Sequence, residues 1–158
     1  MNSEATTADR VLVIGYGNPL RGDDGIGWCA ANELALAVSD NRVKIVACIQ
    51  LTPDLAEAIA GVDRVIFIDA SIDLGAGQLR VERLRPDTCG EESWTHHFDP
   101  RTLLLCAQVL YGRSPEALMI SMGGESFGCR DGLSPGVRER FPLLLARVRE
   151  AIAGWAGG

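Results

Sequence analysis

The sequence predicts an α/β protein: a three-layer α/β/α sandwich around a mainly parallel, twisted sheet of about five strands, one of them an edge strand. Three observations predict it. Continuous apolar runs recur at Val11-Leu12-Val13-Ile14, Val65-Ile66-Phe67-Ile68 and Ala117-Leu118-Met119-Ile120. Runs without alternation suit strands covered on both faces, as in a parallel sheet. Helical patterns separate these runs, and right-handed crossovers then place helices on both faces. One segment differs: residues 78–84, Gln-Leu-Arg-Val-Glu-Arg-Leu, alternate apolar and polar as a half-exposed edge strand does.

In chain order, residues 1–9 read as a loose polar tail and residues 10–15 as the first strand. Glycines, Asn18 and Pro19 then supply turn chemistry, followed by the adjacent carboxylates Asp23 and Asp24. Helix one carries Ile26, Ala30, Leu34 and Val38 on one stripe. Residues 43–49 form strand two. Thr52 and Pro53 carry a cap-plus-proline signature for a short helix that Gly61 closes. Strand three spans residues 64–68 and ends at Asp69, which reads as a turn former or a site residue.

Residues 85–93 form a charged loop, and His96 and His97 follow it. Asp99 is the expected N-cap of helix three, with Pro100 first inside and Leu103, Leu104, Cys106, Ala107 and Leu110 as its apolar positions. The last strand ends at Gly123-Gly124. Ser134-Pro135 repeats the cap signature. The final helix aligns Val137, Phe141, Leu145, Val148, Ile152 and Trp155, while Pro142 is expected to kink or divide it.

Composition narrows the function classes. The 158 residues suit one domain spanning 1–158. A net charge of −6 without a basic run argues against nucleic acid. No stretch approaches a membrane span, and MNSEATTADR lacks a signal peptide's apolar region. Five cysteines, none in a C-x-x-C pair, suit a reduced cytoplasmic protein. Cys29, Cys48 and Cys106 read as core residues; Cys89 and Cys129 lie in loops, where a thiol nucleophile is the alternative. Nothing in the sequence demands more than a monomer.

With strand one flanked by strands two and three, its carboxyl end becomes a topological switch point, where ligands bind in open α/β sheets. Asp23, Asp24 and Asp69 gather around that point. For one of the paired aspartates the ordinary reading is a helix N-cap, but a single cap explains one Asp and not two. A dinucleotide fingerprint fails, because Leu20 stands where G-x-G-x-x-G needs its third glycine. G-x-S-x-G, H-E-x-x-H and a P-loop lysine pattern are also missing. His96 and His97 precede a helix N-terminus, which favours neutral imidazole, the metal-ligating form. Two carboxylates and an imidazole suit nickel or zinc and leave coordination positions open. Such a site can polarise a peptide carbonyl. Alternatively, the carboxylates work without metal, one activating water and one protonating the leaving amine.

The stretch GYGNPLRGDDGIG, residues 15–27, resembles the signature of the hydrogenase maturation endopeptidases. Phe67-Ile68-Asp69-Ala70 resembles the family's second motif, and Thr95-His96-His97 before a leucine-rich helix its third. Gly123-Gly124-Glu125 and Leu133-Ser134-Pro135 resemble its late segment. The resemblance implies removal of a C-terminal peptide from a [NiFe] hydrogenase large-subunit precursor after nickel insertion. It implies that Asp24, Asp69 and His97 contact the nickel and carry the catalysis, as an aspartic-type or metal-assisted endopeptidase. It also implies that nickel is carried by the substrate rather than stored by the enzyme. Glu125 is either a cleft residue or a solvated loop carboxylate, and Asp23 a supporting group or cap. The competing expectation is an assembly chaperone that grips the nickel-loaded precursor without cutting it.

Overall fold

The computed structural model describes residues 9–86 and 99–157. Its strands are β1 (Val11–Tyr16), β2 (Val43–Cys48), β3 (Arg64–Ser71), β4 (Leu79–Leu84) and β5 (Glu116–Gly123). Its α-helices are α1 (Ile26–Ala37), α2 (Leu55–Ala60), α3 (Pro100–Tyr111) and α4 (Pro135–Gly157). The five strands form one sheet in the order β2-β1-β3-β5-β4. β1 pairs in parallel with β2 and β3, β3 pairs in parallel with β5, and β4 runs antiparallel along β5. The alternating segment therefore is an edge strand, and β1 is flanked by β2 and β3 as expected.

The apolar runs bury both faces because successive side chains point to opposite sides. Val11, Val13, Ile66, Ile68, Ile120 and Met122 meet Ile26, Ala30 and Leu34 of α1 and Val137, Leu144 and Val148 of α4. Leu12, Ile14, Val65, Phe67 and Ala117 meet Ala56 and Ile59 of α2 and Leu103, Leu104 and Ala107 of α3. These two clusters are the two core layers of the sandwich.

Several local expectations change. α2 begins at Leu55, later than the Thr52-Pro53 signature suggests, because Leu55 N–H bonds to the Thr52 carbonyl in a preceding turn. Asp54 occupies the N-cap position without a side-chain cap bond. Leu110 is exposed rather than packed. α4 continues across Pro142 instead of dividing, with Val137 and Leu144 buried on either side of it. Burial of that face outweighs the single backbone bond that proline removes. Asp9 is tied down by a 2.7 Å ion pair with Arg64, so the tail's last residue is not loose. Among the described residues, no helix is long and apolar enough to cross a membrane.

Candidate functional site

β1 ends at Tyr16, and Gly17 turns the chain with a φ of 141°. An L-residue is strained in that conformation, and a Cβ there would collide with the Asp24 carbonyl oxygen. The loop then folds back on itself. Asn18 N–H donates to Asp24 Oδ2 at 2.9 Å, and Leu20 N–H donates to Asn18 Oδ1 at 2.9 Å. Asp23 and Asp24 lie in a single 3₁₀ turn, Gly22–Gly25, ahead of α1. The N-cap of α1 is Gly25 and has no side-chain cap bond. The helix-cap reading of the paired aspartates is thus overturned: each carboxylate accepts its bonds elsewhere.

Asp23 is fully buried. Its Oδ2 accepts from Glu125 N–H at 2.7 Å, Ser126 N–H at 2.9 Å and the Ser134 hydroxyl at 2.7 Å. Its Oδ1 accepts from Ser134 N–H at 2.8 Å. Burial alone would push this carboxyl up; the donors from Ser134, Glu125 and Ser126 outweigh it and hold the group below the ordinary carboxylate range. Ser134 precedes Pro135 as the sequence suggests, yet its hydroxyl serves Asp23. Asp23 therefore fastens the segment between β5 and α4 to the loop that carries Asp24.

Asp69 lies inside β3, opposite Ser121 of β5, rather than beyond the strand. The turn-former alternative therefore falls. Because Gly15 pairs with Ile68, the next residues along, Tyr16 and Asp69, stand side by side where β1 gives way to its loop. Asp69 Oδ1 accepts from Ala70 N–H at 2.7 Å. Burial pushes the Asp69 carboxyl up to about 7 against the opposing effects of the Tyr16 phenol and the Ala70 amide; the charge of Asp24 pushes it further up. Burial and the negative charges of Asp69 and Asp99 likewise raise the Tyr16 phenol.

Asp99 caps α3, accepting from Thr102 N–H at 2.8 Å, with Pro100 at the first position. The charge of Asp99 reaches the Tyr16 phenol, so the start of α3 faces the Tyr16 end of β1. His96 and His97 lie outside the described residues, as does Cys89. Glu125 is exposed, and a Cβ at Gly136 would stand 3.1 Å from its Oε1, so its carboxylate lies over the first turn of α4. Cys129 is exposed; Cys29, Cys48 and Cys106 are half-buried and free. Burial pushes the Cys29 and Cys48 thiols up, which opposes a nucleophilic role for either.

Sequence reading missed Tyr16 as a site residue. Its signal was available: a hydroxyl-bearing aromatic between two glycines at the end of a buried strand. The charge of Asp24 reaches Asp69, which lies toward the carboxyl edge of the sheet. A carboxyl raised in this way can give or take a proton near neutral pH, and carboxylate oxygens can serve as ligands to a cation.

No family model matches the chain. It is 30% identical over 159 residues to the hydrogenase expression/formation protein HupD of Bradyrhizobium diazoefficiens, an alignment covering 93% of this chain and 80% of that one. Its fold is similar to the [NiFe] hydrogenase maturation protease HycI of Thermococcus kodakarensis, with a TM-score of 0.75 and 26% identity over 94% of this chain and 95% of that one. It also shares the fold of the hydrogenase maturating endopeptidase HybD of E. coli, with a TM-score of 0.72 and 24% identity over 92% and 93% of the two chains. With a relative 30% identical across 93% of this chain, and with solved maturation proteases sharing its fold, the chain belongs to the hydrogenase maturation protease family.

Proposed function

We propose that this chain is the endopeptidase that removes the C-terminal extension of a [NiFe] hydrogenase large-subunit precursor after nickel insertion. Asp24 and Asp69 take the nickel that the substrate brings, and His97 is the third ligand. The observation that carries the reading is the convergence of Asp24 and Asp69, which stand near enough for one charge to raise the other's carboxyl. The start of α3 beside Tyr16 supports His97, which lies just upstream of that helix's cap.

The electrostatics suggest how loaded and unloaded precursors are told apart. Without a cation, Asp69 holds a proton near neutral pH, because burial pushes its carboxyl up to about 7 and the charge of Asp24 adds to that. A divalent nickel ion favours both in the charged form, so arrival of the loaded precursor exchanges a proton for the metal. The nickel-bound geometry then sets the peptide carbonyl of the extension beside the carboxylates. Hydrolysis adds the water oxygen to that carbonyl carbon, the peptide C–N bond breaks, and a proton from the water goes to the departing amine.

Intact mass spectrometry of the precursor, nickel-loaded and nickel-free, tests the reading. Loss of a C-terminal peptide from the loaded form alone is the expected result. No mass change in either form, with a stable complex accumulating, would replace cleavage by chaperone-like binding. A folded Asp24→Asn protein is expected to leave the extension in place, and normal processing by it would remove Asp24 from the proposed role.

A further inference from the structure

Arg21 and Arg130 are far apart in sequence and adjacent in space. They are partners in a parallel β-bridge. Gly22 N–H donates to the Arg130 carbonyl at 2.7 Å, and Arg130 N–H donates to the Leu20 carbonyl at 3.1 Å. Parallel bridge partners lie roughly 5 Å apart and project to the same side. Both arginines are exposed. Their backbones are held from below, because Asp23 anchors Glu125, Ser126 and Ser134 on either side of Arg130.

Two like charges on directly opposed bridge partners are destabilising unless something neutralises them. Among the described residues, neither guanidinium takes part in an ion pair. Asp131, next to Arg130, forms no ion pair either. The chain carries a net charge of −6, so this is a local cationic pair on an acidic protein. It also borders the candidate site: Asp24 N–H donates to the Arg21 carbonyl at 3.2 Å.

We propose that Arg21 and Arg130 form a docking pair for a carboxylate side chain, Asp or Glu, on the large-subunit precursor beside its cleaved segment. The inference rests on the reading of Asp24 as the site that meets the precursor. Guanidinium forks match carboxylate geometry, and a pair held on a fixed backbone loses little freedom on binding. The overall negative charge disfavours a nucleic acid at the same place. The arrangement gives the enzyme a second contact independent of nickel: the metal reports that the precursor is loaded, and the arginines fix where its chain lies.

The test uses the full-length protein and its host's nickel-loaded large-subunit precursor. Arg21→Gln, Arg130→Gln, the double Gln variant and a double Lys variant are each made with Asp24 intact and with Asp24→Asn. Affinity is measured in the Asp24→Asn set, and the initial processing rate in the intact set, at several salt concentrations. The double Gln variant is expected to bind about tenfold or more weakly at low salt, with a flatter salt dependence, and the double Lys variant to recover most of the loss. Affinity and salt dependence within twofold of the parent in the double Gln variant would overturn the docking pair, even with processing intact. A wild-type protein, with Asp24 intact, that binds but never cleaves would remove the endopeptidase reading while leaving the affinity series to decide the docking. A wild-type protein that neither binds nor processes the loaded precursor would overturn both.

Discussion

Replacing Asp23 with alanine should destabilise the protein by about 3–5 kcal/mol, because the carboxylate is the single acceptor for four donors. A hydrogen bond to a charged group contributes roughly 1.5–3 kcal/mol, so a simple total would be larger. Two of the donors discount it. Glu125 is exposed and Ser126 half-buried, so their amides can turn to water once the carboxylate is gone. Ser134 is 2% exposed, and its amide and hydroxyl would be left without a partner. Asparagine should cost less, about 1–3 kcal/mol. Its oxygen can keep the three donors now on Oδ2, while its amide group faces the Ser134 N–H in place of Oδ1. The Asp23 carboxyl is held below its ordinary value, so its contribution is complete above the unfolded value near about 4 and disappears as pH falls through the folded one. Urea unfolding of the three proteins between neutral and acid pH measures all of this. A loss below about 1 kcal/mol for alanine, or an acid limb unchanged by asparagine, would refute the anchoring role.

Other outcomes follow from the same geometry. Asp69 has a carboxyl raised to about 7, so in the metal-free protein it favours folding most at low pH and loses that advantage as pH rises from the unfolded value through about 7. Asp69→Asn should therefore gain stability over the parent across that window and hold the gain above it; identical unfolding profiles would contradict the elevated carboxyl. Tyr16→Phe removes a group that favours the ionised carboxylate, so the Asp69 titration seen by NMR should move above about 7, and a downward move would count against the contact. Gly17→Ala meets both a positive φ and the Asp24 carbonyl, which predicts a loss of at least about 1–3 kcal/mol in urea unfolding, together with slower precursor processing as Asp24 shifts.

The sequence by itself determined the architecture. Val11-Leu12-Val13-Ile14 and Val65-Ile66-Phe67-Ile68 had no polar face to offer water, so they had to be central strands with helices on both sides. Asp69 directly follows such a run and Asp24 lies on the loop after another, so both were expected near the edge that the carboxyl ends of neighbouring parallel strands share. Asp99 with Pro100 was legible because capping depends on neighbours only a few residues away. Tertiary structure decided the rest. Asp23 and Asp24 look alike in the chain, yet the first anchors Glu125, Ser126 and Ser134 and the second bonds to Asn18 within its own loop. The place of Asp69 beside Tyr16 depends on strand register, and the meeting of Arg21 with Arg130 on how two remote loops are stitched together. Pro142 breaks a local rule that burial of α4 overrides. Periodicity and capping act over a turn or two of chain and are written in consecutive residues. Which distant donor a buried carboxylate finds, and which charge lies beside it, is fixed when the layers pack.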